Sequence, residues 1–353
     1  EIGSGLVGSE MCIRDSVCAA LISLSALTSC RAGKTEYSDS DYFVMNANMK
    51  LRLASSGASD DVLNSASAAA QKIASDIEKE LSVNIAGTPA ELFNSSDGGT
   101  EDPDGVFSAV LKTALDLAAA TDGAYDPTIG ALSSLWNING GGPVPSEESI
   151  GDALSHIGYD KISFENGKVY KDDSALRIDL GGIGKGYAVQ KIVEYLPTAG
   201  VKYGLCSFGS TVGVFGSKPD GKKFRITVCD PDDTSKNVIS LEIESGFVSS
   251  SGDYERYFEE NGKRYHHIFD PSTGYPADSG VRSVTVCAAD GALSDALATA
   301  LFVMGVERSL EFYKSSGISF EAVFITDEGV YTTDGLKSGD TFSLLSEKYK
   351  LLN

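Results

Sequence analysis

The chain has 353 residues, 42% hydrophobic and 22% charged, so it is long enough for one large or two ordinary domains with a substantial core. Its formal net charge of −21 excludes the basic footprint of a nucleic-acid-binding protein. Any phosphate-bearing ligand must therefore be held locally, by backbone N–H groups, a metal or single cations.

Residues 1–16, with Arg14 as their single basic residue, read as a leader extraneous to the fold. Residues 17–27 (V-C-A-A-L-I-S-L-S-A-L) are too short for a membrane span of about 20 residues and read as the apolar region of a signal peptide. The run closes on Leu27-Thr28-Ser29-Cys30, which resembles a bacterial lipobox. That resemblance implies lipidation at Cys30 and a lipid-anchored, extracytoplasmic protein. Residues 31–41 follow as a polar tether. Of the six cysteines, Cys206, Cys229 and Cys287 lie beyond this region; widely spaced and without a C-x-x-C pair, they read as buried thiols in strands.

A single domain with two sub-lobes is expected over 42–345. Alternation near its end makes 42–54 a strand, and apolar residues at helical spacing make 60–81 a helix. A loop at 84–104 leads to a second helix over 106–121. Then come G-A-Y-D-P-T-I-G-A-L-S-S-L-W (123–136), which holds the only tryptophan, a Gly/Pro loop at 137–145, and a short helix over 150–157. Strands follow at 161–164, 168–171 and 176–180, and a helix at 184–196. Further strands are expected at 203–208, 211–215, 224–229, 238–243, 247–250, 266–269 and 281–288. A helix over 293–304 is stopped by Gly305, and another covers 307–316. Strands at 319–326 and 329–333 close the fold, and 347–353 reads as a frayed tail. Sequential strands with helices in separate blocks make the class α+β, with mixed, largely antiparallel sheets and packed helices.

Three segments carry chemistry. D-L-G-G-I-G-K-G (179–186) follows a strand and opens a helix, so its glycines let backbone N–H groups approach an anion while Lys185 adds charge. The same residues would also make a tight turn with a solvent-exposed lysine. His266 and His267, two of the three histidines, alternate faces if extended, so one can enter a cleft and accept a proton from a hydroxyl. Asp270 in the following turn reads equally as its cap. Asp295 and Thr299, four apart on a helix with Ser294 as its N-cap, share one face and offer the hard oxygens that Mg²⁺ favours. That pair is also ordinary helix chemistry, since a first-turn carboxylate complements the dipole and Thr often bonds its own i−4 carbonyl.

These motifs, with S-G-D-Y-E-R-Y-F (251–258), H-H-I-F-D-P-S-T-G-Y-P (266–276) and S-D-A-L-A-T-A-L-F-V-M-G (294–305), stand in an order that closely resembles the ApbE family, the FAD:protein FMN transferases. The resemblance covers roughly 42–339 and implies a T-fold-like arrangement. It implies transfer of FMN from FAD to a Thr or Ser hydroxyl of a partner protein, with release of AMP. By motif, Asp295 and Thr299 would bind Mg²⁺ by side chain and Gly182 by its carbonyl. Asp179 and Lys185 would contact FAD. Ala124, Tyr125 and Asp126 would line its adenine or ribose side, Met45 its flavin, and Ile268 would belong to the same site. His267 would take the acceptor's proton, making His267 and Asp295 the catalytic pair. Gly209-Ser210-Thr211 and Met45-Asn46-Ala47 depart from the family's usual turns and bear on flavin affinity and on transfer versus hydrolysis. A Mg²⁺-dependent FAD pyrophosphatase and a non-catalytic flavin-binding lipoprotein are the alternatives. Expected partners are FAD, an acceptor subunit of a redox complex or exported electron-transfer domain, and the membrane through the anchor.

Overall fold

The computed structural model describes residues 35–56, 60–101, 105–337 and 341–352. The leader, the apolar run 17–27 and Cys30 lie outside the described residues. Among the described residues no helix is long and apolar enough to cross a membrane.

The frame is an eight-stranded sheet whose strands lie side by side in chain order. They are β1 (Thr35–Val44), β2 (Ala47–Ser56), β3 (Tyr203–Phe208), β4 (Thr211–Phe215), β5 (Gly246–Gly252), β6 (Val281–Ala288), β7 (Phe320–Thr326) and β8 (Val330–Thr332). Every pairing in it is antiparallel. Other elements are insertions between consecutive strands. The β2–β3 insertion carries the helices Asp60–Leu81, Val106–Ala120 and Gly184–Tyr195, together with a small lobe. The β4–β5 insertion adds the strands Phe224–Asp230 and Asp233–Ile243, which Phe342–Leu344 joins in a second sheet. The β5–β6 insertion is a hairpin of Tyr257–Glu260 and Lys263–His266, and the β6–β7 insertion is the long helix Gly291–Ser315.

Period-two alternation explains why both faces of the sheet are covered. In β7, Phe320, Ala322 and Phe324 enter the core beneath the helices, whereas Val323 and Ile325 enter the core beneath the second sheet. Val212 and Val214 of β4 go the second way and Phe215 the first. Between them Gly213 has no room for a side chain: a Cβ there would lie 2.7 Å from Val189 and 2.8 Å from Val193 on the helix Gly184–Tyr195. That helix presses onto the sheet beside the long helix. The two approach so closely that a Cβ on Gly186 would lie 2.2 Å from the Gly291 carbonyl oxygen and 2.6 Å from the Asp295 Cβ.

The structure departs from the sequence reading in identifiable places. The expected strand over 42–54 is a hairpin: Met45 and Asn46 both take left-handed backbone (φ 47 and 54) and form its two-residue turn. Strand β1 reaches back to Thr35, so the segment read as a tether is in the sheet from there on. Within the expected loop 84–104, Pro89–Ser95 is a helix capped by the Thr88 side chain. No strand forms at 176–180, because the Asn94 side chain takes a neighbour's place: it accepts from Ile178 N (2.8 Å) and donates to Ile178 O (3.0 Å). The strand near the histidines is Lys263–His266, ending where 266–269 was expected to begin. Ser294 does not cap its helix; Asp290 does, accepting from Leu293 N at 2.8 Å. The helices on either side of Gly305 run as one element with a break there (φ 77, ψ 176). The tail is not frayed: Tyr349 is buried with its hydroxyl 2.9 Å from Asp230, and Leu351 bridges to Val330. Cys206 and Cys229 are buried, Cys287 is half-buried, and all three are free thiols.

Candidate active site

Three insertions meet at the N-terminal ends of the two pressed helices. The long helix brings Asp295, which is 4% exposed, against the other helix, where its Oδ2 accepts from Gly186 N at 2.9 Å. A ladder of buried hydroxyls fixes the start of that helix on the sheet. Thr211 Oγ1 lies 2.9 Å from Ser249 Oγ, which lies 2.8 Å from Ser294 Oγ, which donates to Gly291 O at 3.0 Å. One turn on, Thr299 Oγ1 makes no bond to its own i−4 carbonyl among its described contacts; it lies 3.4 Å from Ser251 Oγ.

The glycine turn reaches the same point. A Cβ on Gly182 would sit 3.4 Å from Thr299 Oγ1 and 3.3 Å from the Tyr125 ring, so the Gly182 backbone lies beside both. Asp179 braces the turn, accepting from Gly181 N and from Ser133 Oγ, each at 2.8 Å. Lys185 donates to Gly181 O at 2.8 Å and passes over Gly209, whose Cβ would lie 3.0 Å from its Cδ. The turn residue Met45 reaches in too: its Cε would meet a Cβ on Gly184 at 3.4 Å. Met45 thus stands on a hairpin turn rather than within a strand.

Ala124 and Tyr125 are buried beside this point. Asp126 is buried with both carboxylate oxygens engaged, Oδ1 by Thr128 N and Oγ1 (2.8 and 2.6 Å) and Oδ2 by Tyr159 N (3.1 Å). Its side chain therefore shapes the loop. Burial pushes its carboxyl above the usual range, partly offset by those bonds.

The histidines divide as alternation requires. His266 is buried, with Nε2 3.0 Å from Ala277 O and Nδ1 accepting from Ile268 N at 3.3 Å, so both ring nitrogens are spent on structure. Ile268 is itself buried, with its carbonyl taken by Ala277 N at 2.9 Å. The half-buried His267 has Nδ1 3.3 Å from Arg256 O. A carbonyl only accepts, so Nδ1 carries the hydrogen and Nε2 keeps its lone pair. Burial, then the Arg256 charge, hold this imidazole well below its ordinary value, so it is neutral at working pH. Asp270 caps the following turn, accepting from Ser272 N and Oγ at 2.8 and 2.6 Å. Trp136 anchors that turn through Nε1 to Gly274 O at 2.8 Å.

The motif over 251–258 supplies residues that carried no assigned role in the sequence. Besides Ser251, the half-buried Glu255 belongs to the site electrostatically. Burial pushes its carboxyl up to about 7, with the Lys185 and Arg256 charges lowering it and Asp295 raising it. Buried serines at 249 and 250, in a strand otherwise free to be apolar, were the available signal. A raised folded-state value means the folded chain holds a proton that the unfolded chain loses, so stability falls as pH rises from about 4.5 to 7. Glu255→Gln removes that loss. In the metal-free protein the variant should gain on the parent progressively between pH 5 and 8, reaching about 1–3 kcal/mol in urea unfolding. A difference that is constant across that range would contradict the assignment.

Among the described residues no three His, Cys, Asp or Glu side chains gather as a metal cluster. A metal here would rest on one carboxylate with neutral oxygens, a donor set suited to Mg²⁺ that leaves places for water and phosphate.

The sequence pattern of the ApbE family matches residues 45–324. The FAD:protein FMN transferase of Haemophilus influenzae is 32% identical over 253 residues, 68% of this chain and 71% of that protein. That of Vibrio cholerae is 35% identical over 228 residues, 62% and 67% of the two chains. Among solved structures, the ApbE protein of Thermotoga maritima superposes with a TM-score of 0.78 at 31% identity, covering 86% of this chain and 98% of that one. The apo flavinyl transferase ApbE of Pseudomonas stutzeri gives 0.74 at 29% identity, covering 85% and 95%. With the pattern spanning the glycine turn, the histidine pair and the Asp295–Thr299 face in one continuous match, this chain belongs to the ApbE family.

Proposed function

We infer that the protein is an FAD:protein FMN transferase that moves FMN from FAD to a Thr or Ser hydroxyl of a partner protein, with Mg²⁺ at Asp295, Thr299 and Gly182. The reading is supported by Gly182 lying beside Thr299, by Asp295 held on the same helix face by Gly186 N, and by His267, whose Nδ1 faces the Arg256 carbonyl and which feels the Lys185 charge of the glycine turn. When bound, the metal would neutralise pyrophosphate charge. Gly186 N–H holds the Asp295 carboxylate in place, and Lys185 offers a cation beside the glycine turn. His267 Nε2 would take the acceptor's proton as its oxygen forms a bond to the FMN phosphorus; the bond from that phosphorus to the AMP oxygen breaks, and AMP leaves. Water in place of the acceptor would give FMN and AMP instead.

The test is to incubate the chain from Ala32 onward with FAD and Mg²⁺, with and without an acceptor domain. Flavin fluorescence on the acceptor with equimolar AMP is expected. AMP and free FMN regardless of acceptor would establish the pyrophosphatase instead, and tight FAD binding without either product a flavin carrier.

The lipobox-like Leu27-Thr28-Ser29-Cys30 supports a lipid-anchored, extracytoplasmic protein. Cys30→Ser should move it from the membrane to the soluble fraction; retention in the membrane would refute the anchor.

A further inference from the structure

The Tyr125 side chain is placed as a donor without an acceptor. The residue is 4% exposed, and its hydroxyl is buried with no hydrogen-bond partner. A buried donor left without an acceptor is destabilising, so a phenol kept there in place of a phenylalanine calls for an explanation. Its surroundings supply one. The ring lies against Gly182, whose missing Cβ would be 3.3 Å from Tyr125 Cε2 and 3.4 Å from Thr299 Oγ1. The charges that act on the hydroxyl are Asp295 first, then Asp179 and Asp126. Of these carboxylates, Asp179 and Asp126 have both oxygens engaged by other donors, and Asp295 has Oδ2 engaged by Gly186 N. With no acceptor among the described residues within hydrogen-bond reach, that O–H is left to donate to an oxygen still to arrive.

We propose that the Tyr125 hydroxyl donates a hydrogen bond to an oxygen that enters with the divalent cation, either a metal-bound water or a phosphate oxygen of the nucleotide. This rests on the functional reading above and refines it: the phenol of Tyr125 serves the metal and phosphate end of the site rather than the adenine or ribose. It makes Tyr125 a positioning residue whose hydroxyl finds its partner only in the loaded site.

The experiment compares the parent with Tyr125→Phe by Mn²⁺ titration alone, by ADP titration in saturating Mn²⁺, and by thermal melting of the metal-free protein. A lost hydrogen bond to a charged or metal-polarised oxygen is expected to weaken binding roughly 10- to 100-fold. Loss already seen with Mn²⁺ alone assigns the partner as a metal-bound water; loss seen only with ADP assigns it as a phosphate oxygen. The metal-free variant should melt at or above the parent's temperature, because an unserved donor has been removed. A lower melting temperature, or unchanged affinity in both titrations, overturns the proposal while leaving the functional reading intact. A parent that binds neither Mn²⁺ nor ADP overturns both.

Discussion

Asp295→Asn is expected to abolish metal-dependent turnover, with a fall of about 10³-fold or more, while the protein stays folded. The substitution separates the two duties of this side chain. An amide oxygen can still accept from Gly186 N, so the contact at 2.9 Å that ties the two helices together is kept. What goes is the only carboxylate of the proposed metal set, and neutral oxygens alone hold Mg²⁺ poorly. Asp295→Ala removes both, leaving Gly186 N–H buried without an acceptor, and should cost a further 1–3 kcal/mol or so of stability. Mn²⁺ titration and urea unfolding on the two variants give the comparison. Parent-like turnover in the asparagine variant would remove Asp295 from the metal site.

His267→Ala should lower FMN transfer by about 10²- to 10⁴-fold, the range over which a positioned general base acts, with FAD affinity close to the parent's. The backbone survives the change: His267 N donates to Arg256 O at 3.1 Å whatever the side chain, and the buried His266 keeps its own bonds. Single-turnover transfer to an acceptor domain, measured beside FAD binding, makes the distinction. An unchanged rate would hand the proton to another group, of which Glu255 is the nearest in character, because burial places its carboxyl close to neutrality.

Much of this frame was legible because local signals and tertiary contacts agreed. Helix Asp60–Leu81 and strands Tyr203–Phe208, Thr211–Phe215 and Val281–Ala288 fall where periodicity alone put them. The glycine turn and its helix were equally plain, since several glycines between an apolar run and a helical pattern leave few other conformations. Failures came where a side chain or a tertiary contact replaced a local signal. Asn94 stands in for a strand beside Ile178. Asn46 turns a hairpin without the glycine that usually announces one. Asn261-Gly262, with φ 54 and 77, does carry the usual hairpin signal, but it was passed over, so the strand that ends at His266 was placed too late. Within the site, Asp295, Thr299 and His267 could be named from motifs, but Glu255 could not, because its character depends on burial and on charges brought from three insertions.

That convergence ties occupancy to integrity. Tyr125, Gly182 and Asp295 belong to different parts of the chain, and the helix carrying Asp295 is seated on β5 and β6. A partly unfolded chain therefore offers the ligand nothing to hold, and saturating the site acts as a brace on the whole sheet. At a hundred times its dissociation constant such a ligand adds about 2.7 kcal/mol to the folded state. Cellular supply of the nucleotide and the cation would then set how long each copy of the protein endures, as well as how fast it works.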